Sequence, residues 1–380
     1  MTFATTPGRC QSATSTLRGY LIEYRPRLQC ASIFIHLQDT IGDTVSVSVK
    51  PREILLTFPA AQTIKIPLEH FEVHSNTISS MVATGKHISF RINTNSEKFD
   101  QEYLTGFSTI TPGLVIPINL KENRNFGISC SNCRASLTSQ QTFIRRILEL
   151  PSEAADSSEW FCHKPSTSNT NIFTPKSDEI FYGNFFFTLN RSLLTRVLDK
   201  QSLIFCRRCL QLLGQILDDR AKLWNENILF TPENSSELHL MPNTNQTLNF
   251  CTIIRKLLVD FTMAGLCGLA HFHKIIFSAH LPDGKIYYLL VQIVDKNLDV
   301  FHPNGTNVAK GRAIKVMYQR GDAEDVPHLK DWMGDENVTQ VEISCKMLQD
   351  VLNAFIENSQ VLPQIYRTSC GFQLSYLFYN

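Results

Sequence analysis

Residues 32–37 read Ser32-Ile33-Phe34-Ile35-His36-Leu37. Ile33, Ile35 and Leu37 fall at every second position, with Ser32, Phe34 and His36 between them. A strand turns successive side chains to opposite faces, so this spacing predicts a strand with one face in a core. The pattern repeats on either side. Thr44-Val45-Ser46-Val47-Ser48-Val49 and His87-Ile88-Ser89-Phe90-Arg91-Ile92 alternate or are β-branched, and turn residues separate such runs at short intervals from Leu17 to Leu120. Pro51, Pro59, Pro67 and Pro112 stand near the breaks, where strands tolerate proline. Short runs with regular breaks predict a sandwich-like or curled β-rich domain over 17–120. Residues 1–16 are polar and are expected to be disordered.

The character changes after Lys121. The stretch 121–213 carries two Cys-x-x-Cys pairs with a Ser/Asn/Thr/Pro-rich loop, Pro165 to Asp178, inserted between them. That loop has too little apolar surface to pack by itself. Residues 214–380 read as a mixture of helices and strands. Leu212 to Trp224 and Cys251 to Leu269 have helical spacing. Lys274 to Ala279, Lys285 to Val294 and Ala313 to Gln319 read as strands. Cys345 to Ile356 places Met347, Leu348, Val351, Leu352 and Phe355 on one helical face. Gly371 to Tyr379 reads as a closing strand. The expected fold class is therefore α+β: a β-rich N-terminal domain, a zinc-stapled middle and an α+β C-terminal domain.

Composition narrows the function classes. The chain has 380 residues, 43% hydrophobic and 19% charged, with 25 Phe and 10 Tyr, which suits packed cores. A formal net charge of +1 gives no global attraction to nucleic acid or to anionic membranes. The N-terminus lacks the apolar segment of a secretory signal, and no run of eighteen apolar residues occurs, so neither export nor a membrane span is expected. The eleven Cys are then expected as reduced thiols or metal ligands rather than disulfides. No P-loop, GxGxxG or HExxH is present.

The strongest chemical signal is Cys130-Ser-Asn-Cys133 together with Cys206-Arg-Arg-Cys209. Two cysteines three apart in a tight turn can direct both sulfurs to one tetrahedral metal, and two such turns complete the four-sulfur shell that suits structural Zn²⁺. Between the pairs lie 72 residues, more than in the usual fingers. Two unrelated turns with reduced thiols, or a redox Cys-x-x-Cys, are the other readings; the redox motif usually opens a helix in a βαβ unit, which is not seen here. Within the intervening stretch lies Glu159-Trp160-Phe161-Cys162-His163-Lys164-Pro165. Cys162 and His163 can offer one ligand to a metal held by another protein, or Trp160 and Phe161 can simply pack a strand edge with Cys162 as a small buried residue.

CSNC at Cys130, LPSE at Leu150, EWFCH at Glu159, CRRC at Cys206, IKVMYQ at Ile314 and GFQLSYL at Gly371 fall in an order that resembles the HECT-like E3 ubiquitin ligase family, over roughly Asn123 to Asn380. The resemblance implies transfer of ubiquitin from an E2 enzyme to substrates of the cyclin type. It also implies binding and restraint of the zinc endonuclease of the mRNA 3′-end cleavage machinery, with a cytoplasmic and nuclear location. In the family the segment resembling Glu159 to Pro165 is linked to nuclease binding, which would place the Cys162 thiolate on the nuclease zinc. Human-type members have Trp-Cys-Cys-His where this chain has Trp160-Phe161-Cys162-His163.

A HECT-type ligase carries ubiquitin as a thioester on a cysteine close to its C-terminus. Cys345, 35 residues from the end, is the best positional match, and Ser344-Cys345 resembles the Thr-Cys of the HECT signature. The flanking Leu-Pro and Asn of that signature are absent. The alternative is a Cys345 that packs at the start of an amphipathic helix. Two functions stay open on this reading: a ubiquitin ligase, and a non-catalytic inhibitor or chaperone of the endonuclease.

Overall fold

In the computed structural model, residues 17–38, 40, 45–58, 63–95, 120–150, 174–183, 185–233, 246–263, 273–304 and 307–379 are described. Alternation in the N-terminal part becomes strand as expected. The early strands are β1 (Leu17–Arg25), β2 (Cys30–Leu37), β3 (Ser46–Lys50), β4 (Glu53–Thr57), β5 (Thr63–Pro67), β6 (Glu72–Val73), β7 (Ser79–Thr84) and β8 (His87–Asn95). Next come β9 (Arg124–Cys130), β10 (Thr142–Ile144), β11 (Arg146–Glu149), β12 (Glu179–Tyr182), β13 (Phe186–Asn190), β14 (Val197–Lys200), β15 (Leu203–Cys206), β16 (Leu212–Leu217), β17 (Arg220–Trp224) and β18 (Ile228–Pro232). Helix α1 (Gln246–Met263) precedes β19 (Lys274–His280), β20 (Ile286–Asn304) and β21 (Asn307–Gly321). The chain ends with α2 (Leu329–Met333), β22 (Thr339–Glu342), α3 (Cys345–Ser359), β23 (Thr368–Ser369) and β24 (Phe372–Tyr379). Among the described residues the protein is mostly β-sheet with few helices, which agrees with the expected β-rich N-terminal domain.

Two compact units divide the chain, each assembled from non-contiguous stretches. The first takes residues 1–109, 293–318 and 355–380. Its main sheet runs β23-β24-β21-β20-β1-β2-β8-β6, with β7 also on β8, and β3-β4-β5 form a second sheet. Ile33, Ile35 and Leu37 of β2 share one apolar core with Ile88, Phe90 and Ile92 of β8 and with Val49, Ile54, Leu56 and Ile66 of the smaller sheet. Burying one face of each strand is what leaves the period-two signature in the sequence. Pro51 lies in the turn between β3 and β4, and Pro67 ends β5.

A buried charge cluster ties the termini of this unit together. Glu23 of β1 is 1% exposed, and its carboxylate accepts hydrogen bonds from Lys315 Nζ at 2.6 Å, Arg25 Nη2 at 2.6 Å and the Tyr376 hydroxyl. Arg25 Nε in turn donates to Asp295 at 2.7 Å. Burial alone would raise the Glu23 pKa, but Lys315 and Arg25 overcome it and hold the carboxyl at about 2.

The second unit takes 110–292 and 319–354. A seven-stranded sheet, β11-β12-β13-β17-β16-β15-β14, shares a core with the three-stranded sheet β10-β9-β18. Phe126, Ile128 and Phe230 of the smaller sheet meet Phe187, Leu189, Ile204 and Leu223 of the larger one. In the same unit β19 pairs antiparallel with the start of β20 and parallel with β22. Phe250 of α1 packs on Phe277 of β19, with ring centroids 4.5 Å apart. Met347, Leu348, Val351 and Leu352 of α3 are buried on one stripe, as its spacing predicts.

Leu212 to Trp224 is a correction. It is expected as a helix and is the β16–β17 hairpin, turning at Asp218, whose φ is 54°. Leu212, Leu213, Gly214 and Gln215 are all buried, as are Ala221 to Trp224. A hairpin covered on both faces shows no alternation, so its apolar run imitates helical spacing. Gly214 records the true geometry, because a Cβ there would lie 1.9 Å from the Lys222 carbonyl oxygen on the paired strand. Helix α1 starts at Gln246, five residues before the expected Cys251; residues 264–269 of that expected helix lie outside the described residues, as do residues 1–16.

Candidate functional site

The two Cys-x-x-Cys segments build the same turn twice. Cys130 is the last residue of β9 and Cys206 the last of β15. In the first turn the Cys130 N–H donates to the Ala135 carbonyl at 2.9 Å and the Arg134 N–H donates to the Cys130 carbonyl at 2.9 Å. In the second, the Cys206 N–H donates to the Gln211 carbonyl and the Leu210 N–H to the Cys206 carbonyl, both at 2.9 Å. Each turn closes through a left-handed residue, Arg134 with φ 61° and Leu210 with φ 58°. The Cys130 sulfur accepts the backbone N–H groups of Cys133 and Asn132, and the Cys206 sulfur those of Cys209 and Arg208. N–H groups aimed at sulfur stabilise the thiolate form.

The turns face one another. Cys130 Sγ lies 3.7 Å from Cys209 Sγ, and Cys133 Sγ 3.6 Å from Cys206 Sγ. All four sulfurs fall within 4.8 Å of one another. A tetrahedron with metal–sulfur bonds of about 2.3 Å has edges of about 3.8 Å, so two opposite edges already have the right length. The four cysteines can hold one metal ion. Cys130 and Cys206 are buried in the core of the second unit, and Cys133 and Cys209 are half-buried at its margin. Burial pushes the Cys130 thiol up to about 12 and raises Cys206. Burial also works to raise Cys209, but the Gln211 N–H and the neighbouring sulfurs of Cys133, Cys130 and Cys206 bring it down to about 7. Arg207 and Arg208 are exposed, and Arg208 Nη1 reaches the Cys133 carbonyl at 3.4 Å. With all four positions filled by sulfur, such a centre has no open coordination site, so its chemistry is structural.

Sequence reasoning finds these cysteines but passes over Arg134 and Leu210. Left-handed positions are usually marked by glycine or asparagine. Here the only signal is that each residue follows a Cys-x-x-Cys directly.

Cys345 is the first residue of α3. Ser344 caps the helix, its hydroxyl accepting the Met347 N–H at 3.0 Å. A helix N-terminus favours a thiolate, yet the half-buried Cys345 thiol is raised above its ordinary value by burial and by the Asp283 carboxylate. Glu226 lies beside the same helix start. Its carboxyl is pushed up by burial, the Ser344 hydroxyl and Lys346 pull it back only in part, and neither oxygen reaches hydrogen-bond geometry with a partner. Trp160, Cys162 and His163 lie outside the described residues. Among the remaining described cysteines, Cys30 and Cys251 are buried and Cys370 is exposed. Among the described residues no helix is long and apolar enough to cross a membrane.

Comparison with known proteins agrees with the ordered motifs. The chain is similar to a protein of Rattus norvegicus named as an E3 ubiquitin-protein ligase, 24% identical over 376 residues, covering 93% of this chain and 95% of the relative. The protein of the same name from Mus musculus is 24% identical over 378 residues, covering 94% and 96%. No solved structure matches. Residues 23–374 match the HECT-like ubiquitin-conjugating enzyme (E2)-binding family, and this chain belongs to it.

Proposed function

We propose that this protein is an E3-type component of ubiquitin conjugation that engages an E2 enzyme and promotes transfer of its ubiquitin to substrate proteins, cyclin-type substrates among them. The observation that carries the reading is the family match, which runs through both compact units from residue 23 to residue 374. Zn²⁺ at Cys130, Cys133, Cys206 and Cys209 is the structural cofactor, stapling the middle stretch 121–213 ahead of a C-terminal α+β region, 214–380. Four sulfurs within 4.8 Å of one another, two opposite pairs of them 3.6 and 3.7 Å apart, support zinc over a redox pair. The long insertion between the two knuckles carries Trp160, Cys162 and His163. In this reading the metal fixes both ends of the segment that meets the zinc endonuclease of mRNA 3′-end cleavage.

Thioester transfer through Cys345 is the catalytic form of the proposal. One observation favours the second, non-catalytic form, in which the protein restrains or chaperones the endonuclease. The Cys345 thiol is half-buried and held in its protonated form by burial and Asp283, the reverse of an activated nucleophile. Incubation with E1, a panel of E2 enzymes, ATP and labelled ubiquitin separates the two. A thiol-reducible ubiquitin adduct that disappears in Cys345→Ala establishes the catalytic form. An adduct that persists in this variant, or none with any E2, removes Cys345 as the acceptor.

A further inference from the structure

A cavity of about 570 Å³ opens in the first unit. Its wall is built from the start of β1, the end of β2, residues near the end of β20 and the segment after α3. Arg18, Arg367, His36 and His302 line it, and none of the lining residues is Asp or Glu. Ion pairs satisfy many of this unit's basic groups, including Arg25, Lys310 and Lys315. Arg18 differs: it is exposed and has no carboxylate partner among the described residues. Among the described residues Arg367 is held by backbone, its Nε donating to the Leu362 carbonyl at 2.8 Å and its Nη2 to the Gln360 carbonyl at 3.1 Å. Carbonyls fix the guanidinium plane without neutralising its charge.

The neighbourhood adds to this. His36 pairs directly across from His87 on β8, and the rings stack with centroids 4.4 Å apart. After burial, the influences on His36 are all positive: His87, Arg18, Lys86 and Arg367 oppose its protonation. Several cationic donors converging on one concave site, with no acid among its lining residues, form a complement to a multiply charged anion. Tyr20, Val361 and Pro363 line the same cavity and give an organic group an apolar wall. The volume lies within the range of about 300–1,000 Å³ typical of small-ligand sites.

We propose that this cleft binds a phosphate monoester, with Arg18 and Arg367 as the principal anion contacts and the apolar wall receiving the esterified group. A phosphate monoester fits better than a single carboxylate, because it carries a charge of about −1.5 to −2 and three acceptor oxygens for donors spread around the wall. Guanidinium forks match that geometry where an ammonium would not. The ester can come from a phosphorylated side chain of a protein or from a small phosphorylated metabolite, and the chemistry recognised is the same.

The test uses the full chain and phenyl phosphate, followed by calorimetry and by the His36 ring resonances. Saturable binding is expected, and Arg18→Ala should weaken it by about tenfold or more, the size of one lost hydrogen bond to a charged group. Arg18 is exposed and has no ion-pair partner among the described residues, so this variant should keep the wild-type unfolding midpoint. Arg367→Lys retains the charge, loses the fork and should also weaken binding. No saturable binding at millimolar phenyl phosphate, or a loss in Arg18→Ala of less than about tenfold, overturns the proposal. A phosphoserine peptide that binds more tightly than phenyl phosphate assigns the ester to a protein side chain; the reverse order assigns it to a metabolite.

Discussion

Cys130 Sγ and Cys209 Sγ lie 3.7 Å apart although 79 positions separate them in the chain. No backbone–backbone hydrogen bond joins the two knuckles among the described residues; they meet through the sulfurs and through Arg208 Nη1, which reaches the Cys133 carbonyl at 3.4 Å. The expected product is one zinc ion per chain, seen by native mass spectrometry and lost in Cys206→Ser. Because a closed four-sulfur site contributes its binding energy to folding, chelation should lower stability by several kcal/mol. A metal-free protein with an unchanged unfolding midpoint would leave the cysteines as reduced thiols.

Gly214 separates two readings of one segment. In a helix, Gly214→Ala would stabilise by about 1 kcal/mol. In the β16–β17 hairpin the new Cβ meets the Lys222 carbonyl oxygen at 1.9 Å, a backbone clash that no rotamer relieves. Destabilisation of about 3 kcal/mol or more is expected, read from urea unfolding.

Much of the N-terminal architecture was legible because its strands bury one face, and Ile33, Ile35, Leu37, Ile88, Phe90 and Ile92 report that face in sequence order. The cysteine centre was legible for a different reason: its ligands come in pairs, and each pair needs only a local turn. The hairpin at 212–224 was not, since burial of both faces erases the period. Nor was the bond from the Tyr376 hydroxyl to Glu23, which spans 353 positions and leaves no local trace in either segment. Glu23 shows only as a charged residue within an apolar strand.

That buried carboxylate sets a pH response. Glu23 is held at about 2 in the folded protein, against roughly 4 in an unfolded chain. The folded value is the lower one, so the stabilisation is complete above pH 4 and is lost as the pH falls toward 2. The shift corresponds to about 3 kcal/mol. Glu23→Gln should flatten acid unfolding over this window. At neutral pH it should cost about 3–5 kcal/mol, because Lys315 and Arg25 lose their buried counter-charge.

Glu226 should behave in the opposite sense. Its folded carboxyl is raised, so it favours the folded state at low pH and costs stability as the pH climbs through the folded value. Glu226→Gln removes that cost. The variant should be more stable than wild type at pH 8 and little different at pH 4, by thermal unfolding at both values.

E2 engagement is tested most directly by discharge of a pre-formed E2–ubiquitin thioester under single-turnover conditions. Each member of an E2 panel is charged, quenched of E1 activity and mixed with the zinc-loaded protein. The expectation is that at least one charged E2 loses its ubiquitin faster in the presence of the protein, and that Cys206→Ser abolishes the acceleration. Discharge at the intrinsic rate for every E2 in the panel would contradict it.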